Sequence, residues 1–123
     1  LCPEAGSSLL LPRLAGYQRA AELLRLGEPF AAETAKEIGL VNAIVPAEAL
    51  LATAMAAAGK LAAKPAASLR ETKMLMKQGI HEAVKLAMGD EGEAFRERLA
   101  SPEAKEAFAA FLEKRQPDFS KFH

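Results

Sequence analysis

The sequence predicts a mainly helical fold with at most one or two short strands. Half of the 123 residues are hydrophobic, and many of them are alanine, which favours helix over other structures. Apolar residues recur every three or four positions through several stretches, and glycine or proline separates these stretches. One β-branched run interrupts the pattern. A chain of this length suffices for one small domain.

Three short helices are predicted in the first third of the chain. The serine pair at Ser7 opens an apolar run that Gly16 closes, as expected for a helix capped at both ends. Pro12 requires this helix to be short or kinked, because proline is tolerated only near the first turn. The second helix covers residues 17–27, and the third covers residues 31–38 and ends at Gly39.

Residues 40–45 (LVNAIV) form the only predicted strand, between Gly39 and Pro46. The run is rich in β-branched residues and is bounded by turn residues, which is typical of strands. A single strand cannot satisfy its own backbone N–H and C=O groups. Its hydrogen-bond partners are therefore expected elsewhere, as in a piece of a larger fold.

The rest of the chain is predicted to be helical up to the tail. One alanine-rich helix covers residues 47–64, and another begins at Pro65 and ends at Gly79. The next helix covers residues 80–99, with an apolar stripe at steps of four and seven: Ile80, Val84, Met88, Phe95 and Leu99.

The sequence Ser101-Pro102-Glu103 is a strong start signal for the last helix. That helix is expected to end near Arg115, and the tail of residues 118–123 is expected to be irregular. The side chains predicted to point inward from it are Ala104, Phe108, Phe111 and Leu112.

Composition argues against several classes of function. Sixteen basic and sixteen acidic residues cancel, so neither nucleic acid nor a charged membrane surface is an expected partner. Cys2 is the only cysteine, and His81 and His123 are far apart, so no metal site is expected. No apolar stretch approaches the ~20 residues that cross a bilayer. Without a secretory signal the expected location is cytoplasmic. The start at Leu1 favours a partial chain.

Several motifs occur in a distinctive order. Residues 2–8 read CPEAGSS and residues 11–16 read LPRLAG; residues 26–35 (LGEPFAAETA), 39–46 (GLVNAIVP) and 111–115 (FLEKR) follow. This order resembles the second half of enoyl-CoA hydratase/isomerase (crotonase) family proteins, and the resemblance covers essentially the whole chain.

The resemblance implies a fold and an assembly. Crotonase proteins have a spiral of ββα units followed by a helical region, so residues 1–46 would be the end of the spiral core. Residues 47–123 would be the C-terminal helical region, through which family members form trimers or dimers of trimers. A homo-oligomer is therefore an expected state.

The resemblance also implies the chemistry. Family members polarise an acyl-CoA thioester carbonyl with two backbone N–H groups that stabilise an enolate. Both donors would lie upstream of Leu1, so the chain alone is expected to be inactive. Glu4 matches the position of the catalytic acid in peroxisomal-type 3,2-enoyl-CoA isomerases, where one carboxylate can move a proton between carbons 2 and 4. Hydratases use two glutamates that would also lie upstream, so hydratase activity remains an alternative.

Phe111 and Lys114 form the second predicted site. In the family, a phenylalanine and a lysine at this spacing on the last helix contact the adenine and the phosphates of CoA bound mostly by a neighbouring subunit. Spacing of three would place both side chains on adjoining parts of one helical face. No cofactor is implied beyond the CoA of the substrate.

Less specific interpretations accompany each assignment. An acid such as Glu4 before a helix is favourable beside the helix dipole without any catalytic role. Phe111 could belong to the core, and Lys114 could be a solvated surface charge. The whole chain could also be a helical interaction module, or a non-catalytic family member that binds acyl-CoA.

Overall fold

The computed structural model describes residues 2–122; Leu1 and His123, the last residue of the predicted tail, lie outside the described residues. The described part contains seven α-helices, the number that the sequence predicts. In chain order they are α1 (Ser7–Ala15), α2 (Tyr17–Leu26), α3 (Ala32–Glu37), α4 (Leu50–Ala62), α5 (Ala66–Gln78), α6 (His81–Leu99) and α7 (Pro102–Leu112). Short 3-10 turns occupy Ala47–Ala49 and Ser120–Phe122, so the tail is less irregular than predicted.

The chain divides into two compact units. The terminal unit extends to Gly27 and resumes at Ala83, and the central unit contains Glu28–Glu82. In the terminal unit, α1 packs against α2, and Ala20 on α2 is fully buried. The functional division predicted at residue 46 is a different kind of boundary and stays a prediction.

Gly27 and Ser101 end and begin helices as the sequence predicts. Gly27 ends α2 in the left-handed conformation, and its N–H donates to the Leu23 carbonyl at 3.2 Å. The Ser101 hydroxyl accepts a hydrogen bond from the Ala104 N–H at 3.3 Å, directly before Pro102. These residues satisfy backbone groups that a helix terminus leaves unpaired.

The start of α1 differs from the prediction. Ser7 and Ser8 lie inside the helix, and Gly6 is the N-cap. Glycine has no side chain to accept a hydrogen bond, so the acceptor for the first N–H groups must come from another part of the chain. The serine-cap prediction is therefore wrong, and the acceptor is described below.

The predicted strand at residues 40–45 is also wrong, since the described residues contain no strand. The N–H groups of Leu40 and Val41 both donate to the Ala35 carbonyl, at 2.8 and 3.3 Å. Gly39, with φ of 77°, turns the chain at this point. The beginning of the run thus bonds to the end of α3, and the side chains of Leu40, Val41 and Ile44 stay exposed.

The central unit buries little apolar surface. Ala35 and Ile38 are its only buried hydrophobic residues among those described, and neither α4 nor α5 contains a buried residue. The apolar side chains of α4 and α5 are instead largely exposed: Leu50, Leu51, Met55, Leu61, Met74, Leu75 and Met76.

Helix α7 turns a different face inward than predicted. Ala110 is buried, whereas Phe108 is 56% exposed and Phe111 and Leu112 are each 80% exposed. The helix ends at Leu112, three residues before Arg115. Periodicity marked the apolar residues correctly but could not distinguish a face that packs within the chain from a face that stays open.

Candidate functional site

Glu4 is the first residue of a tight turn. Its carbonyl accepts a hydrogen bond from the Ser7 N–H at 3.1 Å, and the two central residues, Ala5 and Gly6, have φ of 59° and 77°. Two consecutive left-handed residues define a type I′ turn. The Glu4 side chain is exposed, so the turn presents a carboxylate directly before helix α1.

A carboxylate from α6 fixes this turn. Glu91 accepts the Gly6 N–H on Oε2 at 2.6 Å and the Ser8 N–H on Oε1 at 2.8 Å. These are N–H groups at the start of α1, which have no partner within the helix. Glu91 therefore performs the capping role that the serine pair was predicted to have, from 85 residues away along the chain.

Apolar contacts of α6 reinforce the same turn. Gly6 is buried, and a Cβ built on it would lie 3.7 Å from both Val84 Cγ1 and Met88 Cγ, and 3.5 Å from Leu10 Cδ1. Val84, Met88 and Glu91 lie four and three residues apart, so they share one face of α6. One helical face thus supplies both the packing and the hydrogen bonds for the turn.

The electrostatics of Glu91 follow from this environment. Burial acts to raise the pKa of Glu91, but hydrogen bonds from the hydroxyl and N–H of Ser8 and from the Gly6 N–H outweigh it, so the pKa lies below its ordinary value of 4.5. The folded protein therefore favours the carboxylate. Its stabilising contribution is complete above pH ~4.5 and is lost as the pH falls through the lower, folded-state pKa.

Glu91 is not among the site residues that the sequence predicts, although its position carries one signal. Glu91 lies three residues after Met88 and four before Phe95, within the apolar stripe of α6. It is only 7% exposed and is the only buried charged side chain among the described residues. An acid on an apolar helical face requires partners when buried, so its position could have drawn attention to it.

The second predicted site lies at the end of α7. The Lys114 N–H donates to the Phe111 carbonyl at 3.2 Å, and the Arg115 N–H donates to the Ala110 carbonyl at 3.0 Å. This pair of bonds is the Schellman motif, with Lys114 as the left-handed residue at φ of 55°. Because the backbone of Lys114 has left the helix, the expectation that it shares a helical face with Phe111 does not hold.

Phe111 lines an open apolar groove of about 570 Å³ on the terminal unit. The tail residue Phe119 contributes to the groove, and Arg98 and Glu103 form a 4.0 Å ion pair at its lining. Of the three predicted site residues only Phe111 lines this groove, and Glu4 and Lys114 do not. The remaining lining residues are Ser101, Ala104, Ala107 and Phe108.

An ion pair joins the tail to α7 beside this groove. Arg115 donates through Nη1 and Nη2 to the two carboxylate oxygens of Glu106, at 2.5 and 3.2 Å, and the Asp118 N–H donates to Glu106 at 2.9 Å. The hydrogen bond from Arg115 is the main reason that the pKa of Glu106 is lowered to about 2. These contacts fix the chain between Lys114 and Phe119.

Neither a metal-binding cluster nor a membrane-spanning helix occurs among the described residues. Across residues 2–122, no three or more His, Cys, Asp or Glu side chains are grouped so that they could bind a metal ion. Within the same range, no helix combines the length and the apolar character that crossing a bilayer requires.

Comparison with known proteins identifies the family. The enoyl-CoA hydratase/isomerase family model matches residues 1–121. Crotonyl-CoA hydratase of Syntrophomonas wolfei is 35% identical over 97% of this chain and 46% of its own length. The 1,2-epoxyphenylacetyl-CoA isomerase of Escherichia coli is 38% identical over 98% of this chain and 46% of its own length.

A solved structure agrees with these relatives. The enoyl-CoA hydratase/isomerase from Pseudoalteromonas atlantica superposes with a TM-score of 0.92 and 39% identity, over 98% of this chain and 48% of that protein. The chain belongs to the enoyl-CoA hydratase/isomerase family, and it spans about half the length of the curated relatives it matches. The predicted family and the predicted fold class, a mainly helical part of the crotonase fold, are confirmed.

Proposed function

We propose that this chain is the C-terminal part of an acyl-CoA enzyme that acts through a thioester enolate, as a 3,2-enoyl-CoA isomerase or an enoyl-CoA hydratase. The observation that carries this proposal is the family match over residues 1–121, in relatives named as hydratases and isomerases. We favour isomerase activity because of Glu4. Its turn is well ordered by hydrogen bonds, and its side chain is exposed.

In the proposed reaction, Glu4 moves one proton. Its carboxylate takes a proton from carbon 2 of a 3-enoyl-CoA, which forms the enolate, and the resulting carboxylic acid returns that proton to carbon 4. The double bond moves to carbon 2, and the carboxylate is regenerated. One acid/base group suffices for this transfer, whereas addition of water requires a positioned water as well.

The oxyanion donors of this reaction are proposed to lie in the half of the fold that the chain does not span. The relatives are about twice as long as this chain. An enolate needs preorganised N–H donors at its oxygen, and removing one such donor commonly lowers turnover by ~10²–10³-fold. We therefore expect the 123-residue chain by itself to be inactive.

Phe111 and Lys114 are proposed to contact CoA. The Phe111 ring is 80% exposed at an apolar groove, which suits stacking against a planar adenine. The Lys114 ammonium is also exposed and would attract a phosphate. Because Glu4 does not line the groove of Phe111, the CoA that Phe111 and Lys114 contact is proposed to be bound mainly by a neighbouring subunit.

The proposed assembly is a cytoplasmic homotrimer or dimer of trimers. The exposed leucine and methionine side chains of α4 and α5 support association, since an apolar surface of this kind favours contact with another protein surface. Light scattering of the full-length gene product would measure its mass. A monomer at micromolar concentration would contradict this part of the proposal.

The activity is tested with the full-length gene product on a 3-enoyl-CoA and a 2-enoyl-CoA. Glu4→Gln keeps the shape of the side chain and removes the base. Loss of isomerisation with retained hydration would assign Glu4 to proton transfer between carbons 2 and 4. Glu48→Gln, at an exposed acid in the turn before α4, is the matched control and should retain wild-type turnover.

The remaining outcomes decide between the alternatives. Wild-type isomerisation by Glu4→Gln would remove Glu4 from the proposed mechanism. Hydration without isomerisation by the unaltered protein would assign the hydratase. Binding of acyl-CoA without either reaction would contradict the catalytic proposal and identify a non-catalytic family member.

A further inference from the structure

On the basis of the proposed function, we infer that Glu91 is a positioning residue for Glu4, acting through the backbone of the turn that carries it. Glu91 lies on α6, far from Glu4 in sequence, and does not itself take part in the proton transfer described above. Its contacts are with Gly6 and Ser8, two and four residues after Glu4.

The geometry shows how Glu91 restricts the turn. The Ser7 N–H is already bonded to the Glu4 carbonyl at 3.1 Å, and Glu91 accepts the N–H groups on either side of it, from Gly6 and Ser8. Three successive N–H groups are thereby fixed. The left-handed conformation of Ala5 is disfavoured for a residue with a Cβ, so external support helps the turn to keep one direction for Glu4.

The Glu91 carboxylate accepts hydrogen bonds from the backbone N–H groups of Gly6 and Ser8 and from the Ser8 hydroxyl. Each carboxylate oxygen accepts one N–H, and the side chain is 93% removed from solvent, since only 7% is exposed. A neutral glutamine could accept one N–H through its oxygen but would direct its own NH₂ group at the other donor. Glu91→Gln therefore preserves size while breaking one of the two bonds from backbone N–H groups.

The first experiment measures kcat and KM of the full-length gene product for a 3-enoyl-CoA. For Glu91→Gln we expect kcat to fall by roughly 10–100-fold, because small misplacement of a catalytic group has effects of this size. KM should change by less than about twofold, since the turn is not proposed to contact CoA. Glu93→Gln, at an exposed acid on the same helix, is the control and should match the wild type.

A double variant separates positioning from a general structural role. If Glu91 acts only by positioning the Glu4 carboxylate, its loss has little further effect once that carboxylate is gone. Adding Glu91→Gln to Glu4→Gln should then lower the residual turnover by no more than about twofold. A full additional loss in the double variant would overturn the inference. So would unchanged kcat in Glu91→Gln when Glu4→Gln is inactive.

Failure of the proposed function would give a different result from failure of the Glu91 inference alone. Wild-type turnover by Glu4→Gln would overturn the role of Glu4, and the positioning role of Glu91 with it. Should Glu91→Gln fail to fold, Glu91→Asp replaces it, because aspartate keeps the charge but withdraws its oxygens by one methylene. A lower kcat with retained KM is then expected, and wild-type kcat in a folded Glu91→Asp would overturn the inference.

Discussion

The turn at Glu4 and the end of α7 both present a non-glycine residue in the left-handed conformation, yet the chain supports them differently. At the first, Ala5 and Gly6 are fixed by a buried carboxylate from a helix 85 residues away. At the second, Lys114 follows the helix that it ends, and its N–H bonds only to Phe111. Glu4 depends on tertiary packing, whereas Lys114 depends on local helix geometry.

This difference predicts how substitutions at each site would affect the stability of the fold. Variants around Glu4 should affect the stability of the terminal unit, because buried N–H groups lose their acceptor. Variants at Lys114 should alter the end of one helix and leave the rest of the unit intact. The following substitutions test this contrast in the full-length gene product by urea-induced unfolding, except where another measurement is given.

Glu91→Ala should have the largest effect. It leaves the buried N–H of Gly6 and the partly buried N–H of Ser8 without their acceptor, which should lower the free energy of unfolding by about 2–3 kcal/mol. Glu93→Ala, on the exposed side of α6, should change it by less than about 0.5 kcal/mol. Equal effects of the two variants would show that the Glu91 contact does not stabilise the fold.

Gly6→Ala should have the next largest effect. The added Cβ meets its neighbours at 3.5 Å or more, so the destabilisation should come from the left-handed backbone and amount to about 1–2 kcal/mol. Gly89→Ala is the matched control, because a Cβ on this helical glycine meets nothing within 4 Å. It should stabilise α6 by about 0.5–1 kcal/mol, and the same sign in both variants would contradict the assigned turn.

Lys114→Gly should stabilise the end of α7 by about 1 kcal/mol, because glycine adopts the left-handed conformation at φ of 55° without strain. Lys114→Ala is the control, since it removes the same ammonium and keeps the strain. In the full-length gene product, both variants should raise KM for acyl-CoA if Lys114 contacts phosphate. A destabilising effect of glycine relative to alanine would contradict the assigned helix end.

The smallest effect should be the pH dependence of the Glu106 contacts. The pKa of Glu106 is lowered from 4.5 to about 2, so its contribution is complete above pH ~4.5 and is lost as the pH falls toward 2. A carbon-13 NMR titration should show the chemical shift of the Glu106 side-chain carboxyl changing with a midpoint near 2. Glu106→Gln should abolish this shift, and a midpoint near 4.5 would show that Arg115 does not pair with the carboxylate.

The sequence predicted correctly the features that depend on bonds between residues close together in the chain. Gly27 and Ser101 end or begin helices through bonds to residues three or four positions away, and the sequence identified both. Residues 40–45 looked like a strand because periodicity and β-branching are local properties. Their backbone bonds to the end of α3 depend on how the chain turns at Gly39, which residue preference alone does not determine.

The candidate site shows the same limit. Glu4 was identified because its neighbours match a family motif. The sequence did not predict the turn that carries it, in which Ala5 and Gly6 are left-handed. Glu91 was missed because its partners are 83 and 85 residues away. The open faces of Phe108 and Phe111 were predicted as inward because apolar character does not specify what covers a side chain.

The most direct test of Glu4 as the proton-transfer residue is a crystal structure of the full-length gene product with a saturated acyl-CoA, which cannot isomerise. We predict a Glu4 carboxylate oxygen within about 3.5 Å of carbon 2, the separation at which a group can react, with Glu91 bonded to Gly6 and Ser8. A Glu4 side chain directed away from the acyl chain, with another acid beside carbon 2, would contradict the proposed role of Glu4 in proton transfer.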